Sequence, residues 1–214
     1  MTPSASEARA VTASEANAIK KAPHVEGVLP LFLDRWSPRS FADRAVEPAK
    51  LAKVFEAARW AASSSNEQPW RFLVGTRPSE TWQKIFDSLV DGNKKWVHKV
   101  PVLILGAANT RNSRGAENRF ALYDTGAAAS YLTLQAAHMG LAAHQMGGYD
   151  KEKARAAFGI PEEFIPTSVI ALGYQDEPAA LVDENQLAQE TSPRNRKPLS
   201  EFVYSAWGEP ANLG

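Results

Sequence analysis

Val100-Pro-Val-Leu-Ile-Leu-Gly-Ala-Ala108 is the longest apolar stretch of the chain. Nine residues fall far short of the roughly 20 needed to cross a bilayer as a helix. An unbroken apolar run of this length reads instead as a β-strand covered on both faces. Such a strand needs neighbours in its sheet and layers above and below, and the flanking sequence supplies them. Upstream, Glu47 to Ala62 is a helix. Pro48 suits its first position, where no N–H is needed, and Leu51, Val54, Phe55, Ala58 and Ala61 form one buried stripe. Trp70, Phe72 and Val74 alternate as a strand that Gly75 is expected to end. Ser79 to Val90 is a second helix, with Trp82, Phe86 and Leu89 on its apolar side. Downstream, Phe120 to Met139 is long, apolar and carries Gly126, Ala127, Ala128 and Ala129, so it reads as a closely packed core helix stopped by Gly140. Leu141 to Met146 is a short strand. Lys151 to Phe158 is a short helix closed by Gly159 and Pro161, and Thr167 to Gly173 is another buried strand. The sum is an α+β fold, several helices around a sheet.

The ends differ from this body. Residues 1–28 are rich in Ala, Ser, Thr and Glu, and read as a mobile arm or a weak leading helix. Residues 29–214 read as one domain. From Tyr174 onward the chain turns polar, ending with Phe202, Val203, Tyr204 and Trp207 as isolated apolar anchors. That tail has too little local pattern to fold alone, so it must pack on its own domain or on a partner subunit.

Composition narrows the function. The 214 residues contain no cysteine, which removes disulfides, cysteine metal sites and thiol nucleophiles. Lys+Arg and Asp+Glu both number 24, for a net charge of +0. Bulk attraction to nucleic acid or an anionic membrane is therefore disfavoured. The mean hydropathy is -0.34, and the polar start has no apolar segment of the secretory kind. A soluble cytoplasmic protein is the expectation. The chain has no G-x-G-x-x-G, no phosphate loop of the ATPase kind and no G-x-S-x-G elbow. None of His24, His98, His138 and His144 pair at helical metal spacing. His138 and His144 read as a core histidine and a strand histidine.

Two basic clusters remain: Arg35-Trp36-Ser37-Pro38-Arg39-Ser40-Phe41 and Arg194-Asn195-Arg196-Lys197-Pro198-Leu199. Arginine forks with a serine hydroxyl are the donors a phosphate monoester needs. From composition alone, each cluster reads more readily as a solvated patch. Ser63-Ser64-Ser65-Asn66 alone is a helix stop, and Gly147-Gly148 alone is a turn that lets backbone N–H groups approach a ligand.

Taken together, R-W-S-P-R-S-F, S-S-S-N-E-Q-P-W-R-F, the glycine pair followed by Tyr149 and Asp150, and R-N-R-K-P-L resemble the nitroreductase family of flavin enzymes. The resemblance runs from about Leu31 to Leu199. It implies a central, mostly antiparallel sheet surrounded by helices, in a homodimer with a domain-swapped C-terminal extension. It also implies FMN in two sites at the dimer interface, with NADH or NADPH as electron donor. By position, Arg35 and Ser37 resemble one half of the phosphate site, with Trp36 between them, and Arg194 and Arg196 the other half. Arg39 resembles the basic residue beside flavin N1 and O2, where a cation stabilises the anionic reduced ring. Asn93 resembles an asparagine on the pyrimidine edge. Ser63, Ser64 and Asn66 resemble the segment reaching in from the neighbouring subunit. Gln145, Met146, Gly147 and Gly148 resemble the strand end beneath the ring, where the Gly147 N–H faces N5.

The stretch from Ala108 to Phe120 is short where larger members carry extra helices, so the expected lid is short or absent. The resulting expectation is hydride transfer from nicotinamide to flavin and on to a small acceptor such as a nitroaromatic, quinone or enone, in ping-pong order. The cofactor does the chemistry, so no catalytic side chain is expected. Three alternatives stay open. One is a specialised flavin reaction on the same fold, such as dehalogenation, dehydrogenation or flavin destruction. Another is a non-catalytic flavin-binding module, and the third is an interaction module using its basic clusters on an acidic partner.

Overall fold

The structure is a computed structural model that describes residues 9–213. Residues 1–8, the start of the expected arm, and Gly214 lie outside the described residues. At the centre is a four-stranded antiparallel sheet of β1 (Trp70–Thr76), β2 (Val102–Asn109), β3 (Ala142–Met146) and β4 (Phe164–Gly173), in the order β1-β2-β4-β3. The apolar run forms β2, an interior strand paired with both β1 and β4. Side chains alternate across the pleat. Val102 and Ile104 of β2, with Ile170 and Leu172 of β4, enter one core. Leu103 and Leu105, with Val169 and Ala171, enter a second core on the opposite face.

The helices complete the two outer layers. On the first face lie α3 (Pro48–Arg59) and α6 (Ala121–His138), packed on each other through Val54, Ala58, Ala128, Leu132 and Ala136. On the second lie α4 (Glu80–Ser88), α5 (Asp91–Val97) and α7 (Lys151–Phe158), contributing Trp82, Ile85, Trp96, Val97 and Ala154. Local signals explain their ends. Ser79 accepts the Trp82 N–H as the N-cap of α4, Asp150 accepts from Lys153 N–H at α7, and Gly159 closes α7 at φ 60°.

Several expected boundaries move for tertiary reasons. The helix expected to run to Val90 stops at Ser88 because Leu89 bridges to Tyr149 and the Val90 N–H donates to the Gly148 carbonyl. A new helix, α5, then begins. Gly75 does not end β1, which continues to Thr76. Its glycine instead lets the sheet approach α4, since a Cβ there would lie 2.3 Å from the Trp82 backbone nitrogen.

The ends of the chain also take form. α1 (Ala13–Lys20) starts at a capping box between Thr12 and Glu15, and α2 (Pro30–Asp34) follows. Past β4, α8 (Glu184–Glu190) is capped by Asp183 and lies against the body. A small hairpin of β5 (Tyr204–Ala206) and β6 (Glu209–Pro210) comes last, with Trp207 at its tip 98% exposed. Among the described residues no helix is long and apolar enough to cross a membrane.

The Gly75 contact is open to test. Gly75→Ala forces backbone apart from backbone, so urea denaturation is expected to show a loss of about 1–3 kcal/mol, the range for overpacked cores.

Candidate functional site

The first basic cluster is the loop from Arg35 to Phe41, which leaves α2 on the way to α3, and its backbone is fastened from several directions. The Arg194 guanidinium donates to the Arg35 carbonyl at 2.7 Å, and also to the carbonyls of Leu33 and Lys20. His144, on β3, bonds the Pro38 carbonyl through Nδ1 at 2.9 Å. The N–H groups of Arg39 and Ser40 donate to the Glu190 carboxylate of α8 at 3.0 and 3.1 Å. The Ser40 hydroxyl donates to the Glu177 carbonyl at 2.6 Å. Trp36 is buried, its indole N–H on Asn17 of α1 at 2.7 Å and the Lys20 ammonium over its ring.

With its backbone held, the loop turns Arg35 and Ser37 toward a cavity of about 380 Å³, which also takes in Ser130 and Thr133 of α6 and Gln145 of β3. The Arg35 and Ser37 side chains stand 3.4 Å apart. Arg35 is half-buried. Burial and the nearby Arg196 charge both push its guanidinium below its usual range. Burial, then Arg196 and Arg35, push Arg194 the same way. Three cations from opposite ends of the chain thus feel one another across this site, an arrangement that a bound anion would relieve. The arginines are not equivalent. Three of Arg194's five N–H donors go to backbone carbonyls, so it ties the tail to the loop as well as adding charge.

At the end of β3, Gln145 donates to the Thr133 hydroxyl at 3.0 Å and Met146 is buried. A Cβ on Gly147 would meet nothing within 4 Å, so this backbone faces open space. Gly148 is the reverse: a Cβ there would lie 2.8 Å from Asn93 Nδ2 and 3.0 Å from Val90. The Asn93 amide donates to the Gly148 carbonyl at 2.9 Å, bracing the turn that the family resemblance sets beneath a flavin.

Ser63, Ser64 and Asn66 lie elsewhere. The Ser64 N–H donates to the buried Asp124 carboxylate at 3.0 Å, in the first turn of α6. Ser65, Asn66 and Gln68 hold φ of 51°, 56° and 48°, a left-handed conformation that non-glycine residues adopt only when their surroundings impose it. Asp124 and Thr133 are separated by about 13 Å along the helix axis at the standard rise. One protomer therefore brings Arg35, Ser37 and Gln145 to one cavity, with Arg194 on the Arg35 carbonyl and Arg196 near enough for its charge to reach both arginines, and leaves the Ser63–Asn66 turn at the start of α6.

The sequence model of the group described as "Nitroreductase family" matches residues 33–95 and 83–174, which span both the Arg35 loop and the Gly147 strand end. The chain belongs to the nitroreductase family. A relative from Methanothermobacter thermautotrophicus, named "Putative NADH dehydrogenase/NAD(P)H nitroreductase", is 33% identical over 169 residues, covering 74% of this chain and 86% of its own. An uncharacterized 15.4 kDa protein of Mycolicibacterium smegmatis is 34% identical over 148 residues, covering 65% of this chain and 99% of its own. A solved structure described as an oxidoreductase containing FMN superposes with a TM-score of 0.79 at 31% identity, covering 87% of this chain and 94% of that one. This nitroreductase-family chain thus has the expected antiparallel sheet and enclosing helices.

Three residues that matter here carried no sequence signal for this role. Glu190 sits in a polar tail. His144 reads as an ordinary strand histidine, and Asp124 looks like a surface acid in the first turn of a helix. Only the fold shows each facing a backbone group.

His144 gives a pH prediction. Burial, with Arg39 and Arg35 nearby, lowers its pKa to about 4 against the opposing bond to Pro38. The ring stays neutral when folded, so its contribution to stability is complete above the unfolded value near 6.5 and is lost as pH falls through about 4. Removing the histidine removes that limb. Between pH 7 and pH 4, the stability advantage of wild type over His144→Phe is expected to shrink by on the order of 3 kcal/mol in urea titrations.

Proposed function

We propose that this nitroreductase-family chain is an FMN-dependent NAD(P)H oxidoreductase that works as a homodimer. The observation that carries the reading is that Arg35 and Ser37 line one cavity with Gln145 of β3, two residues before the open backbone of Gly147, while Arg194 holds the Arg35 carbonyl and the Arg196 charge reaches both arginines. The residues fit a flavin mononucleotide. Arg35, Arg196 and the Ser37 hydroxyl would hold the phosphate with charge-assisted bonds, and Arg194 adds charge while anchoring the tail. Arg39 would sit at the pyrimidine edge, where its charge favours the reduced, anionic ring. The Gly147 N–H would donate to N5, with nothing on its own residue to block the approach. Asn93 keeps the Gly148 turn in place and has one further N–H for the pyrimidine edge. The chemistry FMN supplies when bound is hydride uptake from NADH or NADPH and its delivery to a small acceptor in a second half-reaction.

The second copy supplies what one protomer lacks. The outward face of α6 exposes Leu122, Tyr123 and Tyr131, with the small residues Gly126 and Ser130 among them. An apolar, closely approachable face of this kind suits a partner helix. Two α6 helices packed there would bring the Ser63–Asn66 turn of one copy toward the Arg35 loop of the other. The tail fits the same arrangement: beyond Arg194 it carries exposed Leu199, Phe202 and Trp207, which would bury against the partner as an exchanged extension. The relatives' names support the electron donor, and the FMN that the similar structure is described as containing supports the cofactor.

Purified protein is expected to be yellow, to release FMN rather than FAD on heating, to be bleached by NADH or NADPH, and to elute at twice the 23.4 kDa chain mass. Colourless protein that takes up no FMN refutes the reading. Arg196→Ala should weaken FMN retention by about 1.5–3 kcal/mol, the worth of a hydrogen bond to a charged group, as measured by equilibrium dialysis. Arg194→Ala should in addition lower the melting temperature, because three carbonyls lose their donor.

A further inference from the structure

The most completely buried acid in the described chain is Glu190, at 0% exposure. The proposed mechanism gives it no contact with FMN, substrate or solvent. Its carboxylate faces the backbone of the Arg35 loop, with both oxygens 3.0 Å from the Arg39 nitrogen and one 3.1 Å from the Ser40 nitrogen. Burial raises its pKa, while those N–H groups and the charges of Arg39 and Lys20 oppose the rise. A carboxylate withdrawn from water is costly, and a chain retains one there only where fixed donors meet it.

We infer that Glu190 is a positioning residue for the phosphate grip: by pinning the Arg39 and Ser40 N–H groups, it sets the curvature of the loop so that Arg35 and Ser37 aim at one point. The inference rests on the proposed FMN site. The geometry around Glu190 is specific to that task. Neighbouring residues of the same segment hold the other end of the loop, since Arg194 takes the Arg35 carbonyl. Lys20 of α1, beside Glu190, donates to the carbonyl of Gln189 and locks α8 in place. The loop is thus clamped at its two ends by one stretch of the tail, residues 190 to 194, with Arg35 at one clamp and Ser37 between the two. Removing the Glu190 clamp frees two backbone donors and lets the loop relax away from the anion.

The test compares FMN with riboflavin, which has the same ring and lacks the phosphate. Full-length protein is stripped of flavin and titrated with each by fluorescence quenching, for wild type and Glu190→Gln, with circular dichroism confirming that both are folded. The variant is expected to bind FMN about tenfold or more weakly, the effect of misplacing one charge-assisted bond, while riboflavin affinity stays within about twofold. The FMN-to-riboflavin preference then collapses. A general loosening of the fold would weaken both ligands together. Should Glu190→Gln fail to fold, Glu190→Asp keeps the charge and retracts it by one methylene, and the same loss of preference is expected. An unchanged preference in either folded variant overturns the inference and leaves the FMN reading standing. A wild type that binds neither flavin overturns both.

Discussion

A single buried carboxylate holding two backbone N–H groups decides how this protein presents its cations. Without Glu190, the Arg39 and Ser40 donors would face the interior unpaired, at a cost of about 1–3 kcal/mol each, and the loop would have to bend to find water. With it, the backbone between Arg35 and Phe41 is immobilised from behind. The side chains in front are then aimed rather than merely present. Preorganised donors hold an anion better than flexible ones because the ordering cost is met on folding. His144 and Arg194 extend the same principle to the Pro38 and Arg35 carbonyls.

The sheet makes that fastening possible. β3 lies at the edge of the sheet and carries Ala143 and Gln145 on one face and His144 and Met146 on the other. Gln145 can therefore reach Thr133 of α6 while His144 reaches the loop and packs, tilted, against the Trp96 ring. The strand ends at Gly147, where the missing side chain leaves the backbone accessible. The two cores, one on each face, hold this strand rigid on both sides. The Gly148 turn is tightened further by Asn93, so the open position and the crowded one stand next to each other in sequence. Helix α6 then sets the span of the molecule. It places the Arg35 cavity near its middle and the Ser63–Asn66 turn at its start.

Much of the architecture is legible in the order of residues. The continuous apolar run of β2, the helical stripe of α3 and the long apolar α6 each carry a period or a length that only one element satisfies. The short elements are not legible in the same way. Helix α2 has five residues and α5 seven, too few for a stripe. Helix α5 exists because Leu89 and Val90 are drawn out of α4 by the Tyr149–Gly148 turn. Helix α8 is polar along most of its length, and its one buried residue is an acid. Within the site, the arginine clusters and the glycine pair could be picked out as chemistry-bearing types. Their division of labour could not: Arg194 and Arg196 look alike in sequence, and only the carbonyls of Lys20, Leu33 and Arg35 distinguish them.

The sequence by itself determined the layers, the strands and the stock of donors, because hydrophobic period and residue chemistry are local properties that survive without a partner. Tertiary structure alone decided which of those donors meet. Bringing residue 35 beside residues 194 and 196, turning Glu190 inward, and leaving the Ser63–Asn66 turn at the far end of α6 are all long-range closures. They depend on how α1, α8 and the sheet pack, and no local pattern encodes the meeting of Arg35 and Arg194, groups 159 residues apart along the chain.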